Sequence, residues 1–295
     1  MVKTKGIILI ILSAVCFGLI PFFATMAYNN GFNPLTLTLF RFGLAAGLLY
    51  MYIRIRKIDC RVNGGQLFML FQVGLIGYGL MMLTLVASYN YIPTGLATTL
   101  HFIYPVAVMF GSIFIFKDKV GWKSITALVL SVVGIYFLAG FNSVEGLSFY
   151  GVSLALVSGV LYAYYILIIA KSNLRQVNAF VIAFYISLFN TLVLLIICAF
   201  TGDLSFNITY QGFLSILILA IISSLFGMVA FQTGLKIVRA TTASILSTFE
   251  PLTSLSVGVL LLAEVLHWNH ILGSLLIIIS VIAVSFFEKK APPVS

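Results

Sequence analysis

Charge is scarce in this chain. Only 8% of its 295 residues are charged, acidic side chains number seven, cysteines three and tryptophans two. So little charge excludes the solvated surface of a soluble domain. Cys16, Cys60 and Cys198 are odd in number and far apart, which excludes a disulfide framework and a metal-ligand spacing; they read as packing residues. No Gly-Lys-Ser/Thr phosphate loop occurs, so nucleotide-driven pumping within this chain is unsupported. His267 and His270 have a spacing that suits a metal on one helix face, but only Glu264 lies near them, and they read as a surface pair. No enzyme chemistry, cofactor or metal is expected.

Apolar length is what the chain has in abundance. Hydrophobic residues make up 62% of it and its mean hydropathy is +1.18. A helix takes about 20 apolar residues to cross the hydrocarbon layer, because every backbone polar group must be bonded within the segment. Ten such helices are expected, at roughly 6–28, 34–53, 66–87, 93–116, 121–140, 149–170, 178–200, 210–234, 240–262 and 270–287. The links are short, and no soluble domain fits. Lys3 and Lys5 before an apolar run imitate a secretory signal, but the run continues past Ala24 without a convincing cleavage site and reads as the first span.

Basic residues then set an orientation. Lys3, Lys5, Arg54, Arg56, Lys57, Arg61, Lys117, Lys119, Lys123, Lys171, Arg175, Lys236, Arg239, Lys289 and Lys290 all fall on one side of a ten-span chain, fifteen of its sixteen Lys and Arg. The opposite loops carry Glu145, Asp203 and Glu264. The positive-inside rule places both termini in the cytoplasm of a multi-pass protein of the cell membrane. It also accounts for the net charge of +9. A nucleic-acid surface would gather its charge in one region, so nucleic acid is excluded as a partner.

The chain reads as one five-span unit written twice, residues 1–145 and 146–295. Pro105 and Pro251, Trp122 and Trp268, and Asp118 and Glu264 are each 146 residues apart. An offset of 145 pairs Gly6 with Gly151, Ser13 with Ser158, Phe17 with Tyr162 and Asn33 with Asn178. Five is odd, so the second copy enters the bilayer from the other side. The expected fold is an all-α membrane protein of ten transmembrane helices in two inverted five-helix repeats, an arrangement suited to alternating access.

These residues resemble a known family. Thr248-Phe249-Glu250-Pro251-Leu252, with Glu264 and Gly273 following, is similar to a repeat end of the drug/metabolite transporter superfamily, EamA type. Tyr104-Pro105 through Asp118 to Gly134 is a looser copy, with Tyr where the later one has Glu. Ser13 to Gly18 and the Arg41-Phe42 pair also fit. The resemblance covers essentially the whole chain. It implies a central cavity lined by spans one to four and six to nine, with the fifth and tenth peripheral, and it implies no single substrate.

Helical spacing and burial of charge select the site candidates. Thr94, Thr98, His101, Pro105 and Ser112 share one face of the fourth span, and Ala240, Ser244, Ser247, Pro251, Ser254 and Gly258 share one of the ninth. Such a stripe suits close packing or a water-lined wall equally. Proline lacks an N–H and clashes with the carbonyl four residues earlier, so Pro105 and Pro251 are expected hinges beside His101 and Ser247. Arg41, His101 and Glu250 are ionisable groups inside spans, which usually face a cavity or a partner. Glu250 can meet a substrate ammonium, carry a coupling proton, or serve structurally, paired with Arg41 or bonded to neighbouring helices. Arg41 can snorkel, pair or meet a carboxylate. Ser13, Phe17, Tyr78, Tyr104, Ser158, Tyr162, Tyr185 and Asn190 complete the candidate lining, aromatic rings being able to bind apolar bodies or cations. Tyr28, Trp122 and Trp268 suit the interfacial belt.

The expected function is secondary transport, by alternating access, of small organic metabolites, amino acids or related compounds first, with export the expected use. Transport of cationic amines or drugs is the alternative, and a non-transporting receptor or scaffold the reading from another class. The expected partners are a small-molecule substrate and the lipid bilayer. Gly43 and Gly47 suit an intramolecular or a dimer contact, leaving monomer and homodimer both open.

Overall fold

The computed structural model describes residues 2–92, 94–139, 148–204, 208–261 and 267–290. Among them the secondary structure is entirely helical. We label the spans α1 (Val2–Tyr28), α2 (Pro34–Ile55), α3 (Gly64–Ser88), α4 (Thr94–His101 and Tyr104–Phe114), α5 (Trp122–Ala139), α6 (Phe149–Lys171), α7 (Ala179–Thr201), α8 (Tyr210–Leu235), α9 (Ala240–Leu261) and α10 (Trp268–Lys290). All ten coincide with apolar runs of the sequence to within a few residues. The expected boundary at residue 145, and the loop carboxylates Glu145 and Glu264, lie outside the described residues.

Polar caps set where several helices begin. Asn33 accepts from the Thr36 N–H at 2.7 Å ahead of Pro34, Asn63 and Gln66 form a reciprocal capping box, and Asn178 and Thr209 cap α7 and α8. Each satisfies backbone donors that the first helical turn leaves without partners. Gly202 closes α7 at φ 70°, a left-handed conformation that glycine adopts without steric penalty.

Five of the spans are interrupted within their length. α1 breaks at Leu19 ahead of Pro21, α4 at Phe102 and Ile103, and α9 at Ser247 and Thr248. α3 widens into a π-helix over Val73–Leu80, and α8 does so over Ala220–Met228. The π segments begin 147 residues apart, at 73 and 220, and the second halves of α4 and α9 begin 145 apart, at 104 and 249. π turns and proline breaks release backbone groups from the regular ladder, so they persist where neighbouring elements support them.

Small residues decide the closest packing. α5 and α10 lie antiparallel, with Ser280 Oγ donating to the Ala127 carbonyl at 2.5 Å and Asn269 Nδ2 to the Phe137 carbonyl at 3.0 Å. Between those bonds Gly134 and Gly273 face each other's backbone. A Cβ on Gly273 would stand 2.6 Å from the Gly134 carbonyl oxygen. Backbone cannot yield as a side chain can, so Gly273→Val is expected to destabilise the protein by about 1–3 kcal/mol. Thermal unfolding in mild detergent checks this. Gly6 and Gly151, 145 residues apart, play matching parts: the first is pressed against Ile237 and Val238, the second against Tyr91 and Ile92.

The core divides unevenly across the membrane. The main apolar cluster includes Ile7, Ile10, Ile53, Leu174, Val177, Leu235 and Val238, which join the helix ends on the basic side. At the opposite side the apolar contacts split in two. One lobe gathers Ala24, Ala27, Phe32, Leu37, Ile216 and Leu219 from α1, α2, the link between them and α8, and the other gathers Ile92, Ala97 and Ala155 around α3, α4 and α6.

Candidate functional site

The interruptions gather polar side chains where the two lobes meet. Arg41 on α2 is 1% exposed. Its Nε donates to Ser223 Oγ at 3.0 Å, and Ser223 passes its own proton to the Leu219 carbonyl at 2.7 Å. The guanidinium carbon lies 5.4 Å from the centre of the Phe42 ring, and the Tyr78 hydroxyl lies beside the group. Nη2 makes no hydrogen bond. A buried charged donor without a partner is costly, so such a group is kept where something else satisfies it.

Glu250 occupies the first turn of the second half of α9, where the helix dipole favours a carboxylate. Its N–H bonds the Ser247 carbonyl at 3.0 Å, bridging the break. The side chain keeps partial accessibility within a dense protein surround. It lies within electrostatic range of Arg41, Tyr78, Tyr104 and Tyr162. Arg41 and Glu250, read from sequence as a possible ion pair, sense each other but do not close one, whereas Lys171 and Asp118 do, at 2.6 Å.

His101 ends the first half of α4. Its Nδ1 lies 2.9 Å from Ser158 Oγ, and Ser158 donates its one proton to the Ala155 carbonyl at 2.6 Å. With the Ser158 hydrogen directed to Ala155, the contact is satisfied when Nδ1 of His101 donates to Ser158 Oγ. Gly159 permits this arrangement, since a Cβ there would stand 2.6 Å from the His101 carbonyl oxygen.

Aromatic rings line the rest. Tyr162 stands 4.9 Å edge-on to Tyr104, stacks on Tyr165 at 5.5 Å and lies 5.6 Å from the His101 ring. Tyr78 meets Phe42, Tyr162 and Tyr165, and Phe231 extends the stack. The Tyr104 hydroxyl lies near Ser247 without a hydrogen bond closing between them, and Ser247 Oγ donates to the Ala243 carbonyl at 3.0 Å. Ser13 Oγ and Gln232 Oε1 are likewise buried without partners, while Gln232 Nε2 donates to the Tyr165 hydroxyl at 3.1 Å. Buried polar atoms left open, such as Arg41 Nη2 and the Tyr104 hydroxyl, are what a polar solute would satisfy.

The structure thus brings together Arg41, Tyr78, His101, Tyr104, Ser158, Tyr162, Ser247 and Glu250. Pro105 and Pro251 follow the two breaks, in the first turn of each second half-helix. Ser13 and Phe17 lie on α1, with Phe17 packed against Gly227 of the α8 π-helix. Two expected members lie elsewhere. Tyr185 sits with Phe184 and Phe189, its hydroxyl 3.4 Å from the Cys60 carbonyl on the basic side. Asn190 spends its amide on the Gly74 and Ile186 carbonyls at 3.0 and 2.8 Å and lines a lateral crevice instead. Ser223, Gln232, Tyr165 and Phe231 were not foreseen. Gln232 carried a usable signal, a lone amide within an apolar span.

The basic side is latched. Arg175 Nη2 donates to the Lys236 carbonyl at 3.1 Å, and Lys236 Nζ returns a bond to the Val177 carbonyl. On the opposite side the described loop residues make contacts within each lobe. Asn33 donates to the Asp203 carbonyl at 2.6 Å, Thr209 to Asn30 Oδ1 at 2.8 Å, and Tyr91 meets Tyr150 edge-on at 5.0 Å. Tyr28 and Tyr89, one from each lobe, lie within electrostatic range of each other, the first also of Arg41 and the second of Glu250.

Ten apolar helices among the described residues, five of them interrupted, with an arginine and a glutamate inside the spans, define a multi-pass membrane transporter of small molecules. Comparison with known proteins narrows the class. The chain belongs to the EamA-like transporter family, whose model matches residues 4–140 and 149–286. It is 25% identical to an uncharacterized transporter of Clostridium kluyveri over 97% of this chain and 95% of that one, and 24% identical to an uncharacterized transporter of Archaeoglobus fulgidus over 88% and 91%. A solved crystal structure, 13% identical, matches 97% of the chain and 98% of its own with a TM-score of 0.84, a likeness of fold.

Proposed function

We infer that this protein carries small zwitterionic metabolites, amino acids first, by alternating access between two inverted five-helix halves. One observation carries the substrate class: Arg41 and Glu250 share an aromatic surround without pairing, and the guanidinium keeps an open donor. A carboxylate on Arg41 and an ammonium near Glu250, within reach of the Tyr78, Tyr104 and Tyr162 rings, would satisfy both charges at once. A cationic amine would find the rings and Glu250 but would also face Arg41, so charge favours the zwitterion.

The antiparallel α5 and α10, the recurring π segments and the matched glycine contacts support the inverted repeat. The asymmetry of the gates supports alternating access. Arg175 and Lys236 are latched, while Asn30 and Tyr91, each 145 residues earlier, belong to separate lobes. With the basic side read as cytoplasmic, the latched form is the one we take as closed on that side.

Counterflow into proteoliposomes tests the reading. Exchange of neutral amino acids, with none of an amine or a carboxylic acid that lacks the second charge, is expected. Exchange of amines alone would transfer the site to the cation reading, and no exchange of any solute would leave a scaffold.

The latch adds a pH dependence. Burial pushes the Lys236 amine down from 10.5 to about 8. An open latch returns it to water and to its ordinary value, so between those values the open form binds more protons. Raising the pH through that window is expected to favour the closed latch and slow exchange. Lys236→Met is expected to lose the dependence.

A further inference from the structure

A crevice of about 390 Å³ opens sideways between α2, α3 and α7, lined by Leu35, Phe42, Leu80, Leu83, Asn190 and Val193 among others. These residues run from mid-membrane toward the end opposite the basic loops, and the crevice is the lateral face of the cleft between the lobes. α2 belongs to one lobe and α3 to the other. On its floor Gly79, lacking a side chain, lets α3 touch the Asn190 amide. Phe42, edge-on to Tyr78 at 5.8 Å, forms the wall toward Arg41.

We propose that the acyl chain of an outer-leaflet phospholipid occupies this crevice and wedges the lobes apart. Three observations select that occupant. The lining is almost wholly apolar, so water gains no hydrogen bonds by entering it. Ile76, Leu80 and Leu83 along its α3 rim are 42%, 44% and 38% exposed within an apolar span, which places the opening in the hydrocarbon layer. The one amide that lines it has both N–H groups committed to backbone carbonyls and offers no donor to a polar headgroup or solute. A chain seated there keeps α2 from α3, and closing the outer mouth must expel it. The wedge role rests on the alternating-access reading, whereas occupancy does not.

Fluorescence quenching by phospholipids brominated on their chains tests both parts, in full-length protein with Trp122 and Trp268 changed to Phe. Val193→Trp puts an indole in the crevice, Leu195→Trp puts one on the lipid-facing surface of α7, and Tyr165→Trp puts one in the buried aromatic stack. Leu83→Trp, at the rim, serves if Val193→Trp does not fold. Quenching of the crevice indole well above the Tyr165→Trp level is expected, and quenching no greater than that level overturns occupancy whether or not the protein transports anything. Adding a counterflow-active amino acid is expected to lower the crevice signal at least twofold while leaving that of Leu195→Trp unchanged. An unchanged crevice signal, with counterflow intact, overturns the wedge.

Discussion

Replacing Glu250 by Gln is expected to lower kcat/KM for a zwitterionic amino acid about 10- to 100-fold, with little change in thermal stability. A hydrogen bond to a charged group contributes about 1.5–3 kcal/mol, and each 1.4 kcal/mol is about tenfold. The partial accessibility of Glu250 and its lack of an ion pair point to a group that finds its partner in the solute. Arg41→Gln is expected to cause a loss of similar size. The two variants should differ in what they spare, Glu250→Gln weakening recognition of the ammonium and Arg41→Gln that of the carboxylate. Competition by an amine and by a carboxylic acid analogue reads this directly. A purely structural pair would instead weaken all ligands together and lower the unfolding temperature.

Linking the closed latch is expected to abolish transport. With Cys16, Cys60 and Cys198 replaced, cysteines at positions 175 and 236 stand on the two loops that the Arg175 and Lys236 bonds hold together. A short bifunctional methanethiosulfonate across them should reduce counterflow to the empty-liposome level, and a reductant should restore it. Ligand binding should survive, because Arg41 and Glu250 lie away from the linked loops. Full counterflow with the link intact would show that this side need not open.

Much of this architecture was legible from residues alone. Span limits followed apolar length because the bilayer fixes how many residues a helix needs; Asn33 and Asn178, legible only as a repeat pair, prove to cap α2 and α7. The breaks at His101 and Ser247 followed from Pro105 and Pro251, a local steric effect. The charged site residues stood out because Arg41 and Glu250 are exceptional in apolar spans. Tyr185 and Asn190 did not join them, since helix-face arithmetic identifies a face but not the neighbour it meets. The π segments were invisible: Val73–Leu80 and Ala220–Met228 are apolar stretches whose extra width arises from packing against α6, α7 and α1. The latch was hidden too, because half of each bond is backbone carbonyl, which no side-chain pattern reports.

The account rests on two lobes that close on one side as they part on the other. Distances between paired spin labels measure this directly, one pair at Met26 and Asn90 beside the outer mouth, the other at Lys5 and Asn173 beside the latch, all on exposed or partly exposed positions. On titration with a transported amino acid, the outer distance should shorten and the inner one lengthen with the same midpoint. Fixed distances in both pairs during active counterflow, or a change of the same sign in both, would contradict it.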